Sequence, residues 1–163
     1  MEALSAQVGA ALKEHGLLLT TAESCTGGGV AYALTEIGGS SVWFERGFVT
    51  YSNEAKQNML GVAQATLLRF GAVSEAVVRE MVAGALQHSQ SGMALAVSGI
   101  AGPDGGTADK PVGTVWFAWG IKDRACVARV YHLVGNRTEV RQQAVRLALE
   151  GVIAVLNERT EIA

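Results

Sequence analysis

Cysteine and proline are scarce in this 163-residue chain, with two of each. Cys25 and Cys126 show no Cys-x-x-Cys spacing and have no histidine close by, so neither a zinc site nor a disulfide framework is indicated. Two free thiols suit a reducing compartment, and the expected location is the cytoplasm. Charge is sparse as well. Charged residues make up 17%, the formal net charge is -2, and no Lys/Arg cluster occurs, which leaves no electrostatic footprint for nucleic acid or an anionic membrane. No apolar run approaches the roughly eighteen residues that cross a bilayer, and the amino terminus lacks a basic stretch followed by an apolar one. Export and membrane insertion are therefore not expected. No repeat, linker or low-complexity segment divides the chain, so residues 1–163 read as one domain.

What is present is apolar. A hydrophobic fraction of 49% and a mean hydropathy of +0.24 predict a large core with surplus for a subunit interface, so a homo-oligomer is expected. Leu4, Val8, Ala11 and Leu12 stripe a first helix that Gly16 stops. Leu17 to Ala22 reads as a buried strand, Val30 to Ile37 as a helix and Val42 to Tyr51 as a second strand. Ser52 or Asn53 caps a short helix, Glu54 to Leu60, and another short segment starts at Val62 or Ala63 and runs to Leu68. Ser74 caps a helix striped by Val77, Val78, Met81, Val82, Ala85 and Leu86, and Met93 to Val97 is an apolar strand. Strands Val112 to Trp119 and Cys126 to Leu133 flank a hairpin-like turn. Asn136 and Glu139 have capping-box spacing at the start of a last helix. This alternation predicts a three-layer α/β/α sandwich on a mixed, mostly parallel sheet.

The stretch Thr21-Ala-Glu-Ser-Cys-Thr-Gly-Gly-Gly29 lies where the first strand turns into a helix. Ser24 can face solvent there, while Gly27, Gly28 and Gly29 leave helix-start N–H groups uncovered for a phosphate or an oxyanion, and Thr26, Gly27 and Gly28 are expected to bind substrate. Equally, Ser and Thr before a helix are ordinary caps, and glycines are ordinary turn residues. The Gly-x-Ser-x-Gly, Walker A and Ser-x-x-Lys patterns all fail on residue identity. Lys56, one of four lysines, falls in the first turn of its helix, where the macrodipole disfavours a cation; a lysine there either snorkels to water or is held with a lowered pKa.

The fourteen residues Ser98–Pro111 are long for a connection. Ser98 and glycines 99, 102, 105 and 106 let backbone donors approach a ligand, with Asp104, Thr107 and Asp109 as polar anchors. A strand, not a helix, follows, which excludes a dinucleotide fingerprint. Arg137 and Arg141, spaced i,i+4, share one helix face as either a solvated pair or a phosphate clamp. His15 is a helix-end residue, and His132 a strand residue of structural character.

Thr21-Ala-Glu-Ser-Cys-Thr-Gly-Gly28, Val97-Ser-Gly-Ile-Ala-Gly-Pro-Asp-Gly-Gly106 and Lys110-Pro-Val-Gly-Thr-Val115 resemble the CinA carboxy-terminal domain family, the stand-alone nicotinamide-nucleotide amidases. The resemblance covers nearly the whole chain. It implies hydrolysis of the carboxamide of nicotinamide mononucleotide to nicotinate mononucleotide and ammonia, without cofactor or metal. It also implies that Ser24, Tyr51 and Lys56 are the catalytic residues. Where the family reads Gly-Asp-Arg this chain reads Gly135-Asn136-Arg137, so a carboxylate is missing there. Two alternatives remain: Cys25 as the nucleophile, and a non-catalytic nucleotide-binding or competence-associated interaction domain.

Ser24→Ala is thus expected to reduce ammonia release to background while fold and nucleotide binding persist. Cys25→Ala is expected to retain turnover, and the reverse pattern assigns the nucleophile to Cys25.

Overall fold

The computed structural model describes residues 1–162, with side chains through residue 158; Ala163, the end of the expected domain, lies outside them. Five strands form one sheet in the order β2-β1-β3-β4-β5. They are β1 (Leu19–Glu23), β2 (Phe44–Val49), β3 (Met93–Gly99), β4 (Thr114–Ile121) and β5 (Cys126–His132). β1 pairs in parallel with β2 and β3, and β4 pairs antiparallel with β3 and β5, so four strands run one way and β4 alone is reversed. The mixed, mostly parallel sheet is as expected.

The helices α1 (Glu2–Glu14), α2 (Gly29–Thr35) and α6 (Arg137–Ile162) pack on one face. α3 (Asn53–Leu60), α4 (Gln64–Phe70) and α5 (Glu75–Gln87) group on the other. Two cores result. Val8, Leu12, Leu34, Leu95, Phe117 and Leu149 belong to the first, and Leu60, Val77, Val78, Met81, Ala94 and Ala96 to the second. Alternate residues of β3 thus serve opposite cores, as a strand covered on both faces requires. Among the described residues no helix is long and apolar enough to cross a membrane.

Local sequence chemistry explains most boundaries. Ser52 and Ser74 cap α3 and α5 by accepting from the N–H groups of Ala55 and Val77. Asn136 and Glu139 close a reciprocal capping box at 2.9 Å in each direction. The second strand departs from expectation. Ser40–Val42 form a 3₁₀ turn and Trp43 is buried outside the strand, its indole against Gly9 of α1, so tertiary packing overrides the β propensity of Val42-Trp43. Tyr51 likewise lies beyond the end of β2.

This strand order determines where a ligand can reach. The connection from β1 to β2 carries α2 on one face, whereas that from β2 to β3 passes α3, α4 and α5 over the other. Between β1 and β3 the order reverses direction. At such a switch point the loops after the two strands part and leave a crevice at the carboxyl ends. Those loops begin with Ser24 and Ile100.

The α3–α5 contact depends on Gly84, where a methyl group would land on the carbonyl oxygen of Leu60 and come within 2.7 Å of its carbon. Gly84→Ala is expected to lower the unfolding free energy by about 1–3 kcal/mol despite alanine's better helix propensity. The measurement is a urea midpoint that falls with unchanged slope.

Candidate functional site

Ser24 directly follows β1, and its N–H donates to Val97 O at 3.0 Å, extending the β1–β3 pairing by one bond. The chain then turns through Gly27 and Gly28, whose φ values of 58° and 99° are left-handed and favour glycine. Glu23 is fully buried at the last position of β1. Its Oε1 accepts from Thr26 Oγ1 at 2.5 Å and from Val30 N at 2.9 Å, and its Oε2 from Ala31 N at 3.0 Å. This corrects the expectation that the helix-start donors are open to a ligand. A side chain of the protein already satisfies the first turn of α2, and Gly29 N–H is spent on Thr26 O. The N–H groups of Cys25 and Thr26 hydrogen-bond to no other residue among those described.

Lys56 reaches the same turn from α3. Its Nζ lies 3.0 Å from Ser24 Oγ and 2.9 Å from Thr50 O, with 1% of the residue exposed. Burial lowers its pKa from 10.5 to about 8, against a smaller raising influence from Cys25. Burial, rather than the start of α3, is thus the leading cause. The buried carboxylate nearest in sequence to Ser24 is Glu23, and it is turned towards Thr26 and α2 instead of forming an ion pair with the amine. Burial also raises the Cys25 thiol to about 11, a poor starting point for a thiolate nucleophile.

A cleft of about 290 Å³ opens above this pair, lined by Ser24, Cys25, Tyr51, Asn53, Lys56 and Arg137 and by the 98–105 segment. Of the residues expected to bind substrate, Ser98, Gly99, Gly102, Gly105 and Arg137 line it. Thr26, Gly27, Gly28, Gly106 and Arg141 do not. Gly106 packs against Val112, and Thr26 and Arg141 border a separate depression behind the turn. Arg137 donates to Gly102 O at 2.7 Å and to Tyr51 Oη at 3.0 Å, joining three walls of the cleft at its mouth. Tyr51, 60% exposed, hydrogen-bonds to neither Ser24 nor Lys56. Arg141 is 4 positions along the helix from Arg137, yet it donates from behind the turn to Cys25 O at 3.0 Å and Thr26 O at 3.4 Å. A shared helix face, read from spacing, did not mean a shared ligand.

Sequence reasoning missed the Thr50 carbonyl, the Glu23 carboxylate, Asn53 and the apolar wall of Ala72, Val73, Ile100 and Ala101. Glu23 carried one legible signal, a glutamate at the end of a strand with no solvated face. The Ala72 wall is held by Ser98, whose hydroxyl donates to Ala72 O at 2.9 Å. Among the described residues no group of three His, Cys, Asp or Glu side chains is placed to hold a metal.

The profile of the CinA C-terminal domain family matches residues 1–156. The Escherichia coli (strain K12) protein named nicotinamide-nucleotide amidohydrolase PncC is 57% identical over 147 residues, covering 90% of this chain and 89% of that one. A Pseudomonas putida protein of the same name is 49% identical over 155 residues, covering 95% and 96%. Among solved structures, the competence/damage inducible protein CihA from Agrobacterium tumefaciens superposes with a TM-score of 0.91 at 48% identity, covering 96% of this chain and 94% of that one.

The buried amine has a consequence for stability. In the unfolded chain Lys56 keeps its proton to about pH 10.5, but in the folded protein only to about pH 8. Between those values the unfolded state binds more protons, so stability rises with pH. Relative to Lys56→Met, the protein is expected to gain on the order of 2 kcal/mol between pH 7 and pH 10. Urea unfolding of both proteins at the two pH values checks this.

Proposed function

Because the chain belongs to the CinA C-terminal domain family, we propose that it hydrolyses the carboxamide of nicotinamide mononucleotide, giving nicotinate mononucleotide and ammonia in cytoplasmic pyridine-nucleotide recycling. The observation that carries the reading is the buried amine 3.0 Å from a serine hydroxyl at the floor of an open cleft. A neutral Lys56 keeps one N–H on Thr50 O and turns its lone pair to the Ser24 proton. The direct contact supports Lys56, over Tyr51, as the immediate base, with Tyr51 in an orienting role beside Arg137.

Ser24 Oγ forms a bond to the amide carbon as Lys56 takes the hydroxyl proton. The resulting oxyanion accepts from the N–H groups of Cys25 and Thr26; the donor of the residue after a nucleophile is the usual one at a strand-to-helix turn. Lys56 returns its proton to the leaving nitrogen as the C–N bond breaks, and ammonia departs. Water then attacks the acyl-enzyme, Lys56 again takes a proton, and it returns that proton to Ser24 as the carboxylate leaves. Asn53, Val73 and Ile100 offer a mixed apolar and polar wall to the pyridine ring. Arg137 has guanidinium donors beyond the two it spends on Gly102 and Tyr51, and these suit the phosphate at the mouth.

A second reading, a nucleotide-binding or competence-associated domain without turnover, draws on the similarity to the Agrobacterium tumefaciens competence/damage inducible protein. Incubation with nicotinamide mononucleotide and an ammonia assay separates the two. Binding without ammonia selects the second.

The mechanism predicts a kcat/KM that rises with pH through an apparent pKa near 8. That limb is expected to vanish with most activity in Lys56→Met. Lys56→Arg is not expected to restore it, because a guanidinium keeps its proton at any working pH. An active Lys56→Arg protein moves the base elsewhere, with Tyr51 next in line.

A further inference from the structure

Two charged side chains that the proposed mechanism leaves unused converge on the Ser24 turn. Glu23 holds it from the strand side through three hydrogen bonds, to Thr26 Oγ1, Val30 N and Ala31 N. Arg141 holds it from the helix side through the carbonyl oxygens of Cys25 and Thr26. Gly27 makes room for this approach: a methyl group there would sit 3.3 Å from Arg141 Nη2. We propose that Glu23 and Arg141 are positioning residues, a clamp that fixes the peptide planes after Ser24 and aims the Thr26 N–H group at the developing oxyanion.

The argument rests on peptide geometry. Cys25 O and Thr26 N–H belong to one planar trans unit, so they point in opposite directions. Arg141, drawing Cys25 O behind the turn, turns Thr26 N–H towards the side on which Ser24 and Cys25 line the cleft. A cation on the carbonyl also polarises the peptide and strengthens its N–H as a donor. Glu23 supplies the complementary restraint. It ties the Thr26 side chain and the start of α2 to the end of β1, so the turn cannot follow the pull of Arg141. By satisfying the donors of Val30 and Ala31 itself, the carboxylate leaves the N–H groups of Cys25, Thr26 and Gly28 without a partner on another described residue. The two arginines of α6 therefore act differently, Arg137 in the cleft and Arg141 behind it.

This inference rests on the amidase reading given above, and the test keeps the two separable. Steady-state kinetics on nicotinamide mononucleotide and on the phosphate-free riboside are measured for wild type, Arg141→Met, Arg141→Lys, Arg137→Met and Glu23→Gln. Circular dichroism checks that each variant is folded. Arg141→Met is expected to lower kcat about a hundredfold on both substrates, the scale of losing one oxyanion donor, with KM within about threefold. Arg141→Lys, which can reach one carbonyl, is expected to recover part of the loss. Glu23→Gln sets an amide N–H against a backbone N–H and is expected to behave as Arg141→Met does. If it fails to fold, the Arg141 variants, on the helix rim, carry the test alone.

A KM increase confined to the nucleotide, with kcat near normal, makes Arg141 a phosphate ligand like Arg137 and overturns the proposal, as does a kcat within threefold of wild type. Labelling of Ser24 by a fluorophosphonate supplies a readout independent of substrate. If wild type releases no ammonia yet labels, the amidase reading fails and the clamp is judged by labelling. Variants slowed at least about tenfold support it, and equal rates overturn it. A wild-type Ser24 that neither turns over nor labels overturns both.

Discussion

An amine enclosed by protein with no carboxylate partner among the described residues is the constraint to which the rest of the site conforms. Lys56 is 1% exposed and its pKa falls to about 8, a burden the fold carries while holding the amine beside Ser24, where the proposed mechanism uses it as a proton acceptor. An ion pair would relieve the burden and remove the acceptor, because a neighbouring negative charge favours the ammonium form. The structure avoids that outcome. The fully buried carboxylate beside Ser24 in sequence spends both oxygens on Thr26 and the start of α2. The Thr50 carbonyl, a neutral dipole, takes the partner position instead. A buried polar group without any hydrogen bond would be far more costly, so this carbonyl is what makes the burial tolerable.

The sheet topology makes these contacts possible. Ser24 and the 100–113 loop leave adjacent parallel strands at the point where the strand order reverses, and α3 arrives from beyond β2 on the opposite face from α2. The reversal at β4 matters as well. A β-strand returning directly after the long loop packs that loop's two ends together, with Ile100 N–H on Thr114 O and Gly113 N–H on Ile100 O. The loop is anchored at its base and free to line the cleft above. The last helix then completes the site from the far end of the sequence. Its capping box fixes where it starts, so that Arg137 faces the loop and Tyr51 while Arg141, one turn later, passes behind the Ser24 turn.

Much of this was written locally. The caps at Ser52, Ser74 and Asn136, the stop at Gly16 and the apolar stripe of α5 follow from short-range chemistry and were legible residue by residue. So was the strand-to-helix turn at Ser24, since the change from a β-branched run to helical spacing is a property of neighbouring residues. Errors fell where a distant segment decided the outcome. Val42-Trp43 has the composition of a strand, but the void beside Gly9 on α1 takes the indole and ends β2 short.

The same division runs through the site. The amino-acid sequence by itself determined the fold class, the turn that carries Ser24 and the presence of a lysine early in α3, because each depends on spacing within one element. Only the tertiary structure decided what those residues could do. The 32 positions between Ser24 and Lys56 close to 3.0 Å because α3 packs on α5, which itself lies against β1, and burial, which no local pattern encodes, rather than helix position leads in lowering the lysine pKa. Arg137 and Arg141 share a helix face and a residue type, so sequence could not separate them. Their different partners were set by the segments that long-range packing brings against the helix, Gly102 and Tyr51 at Arg137 and the Ser24 turn at Arg141.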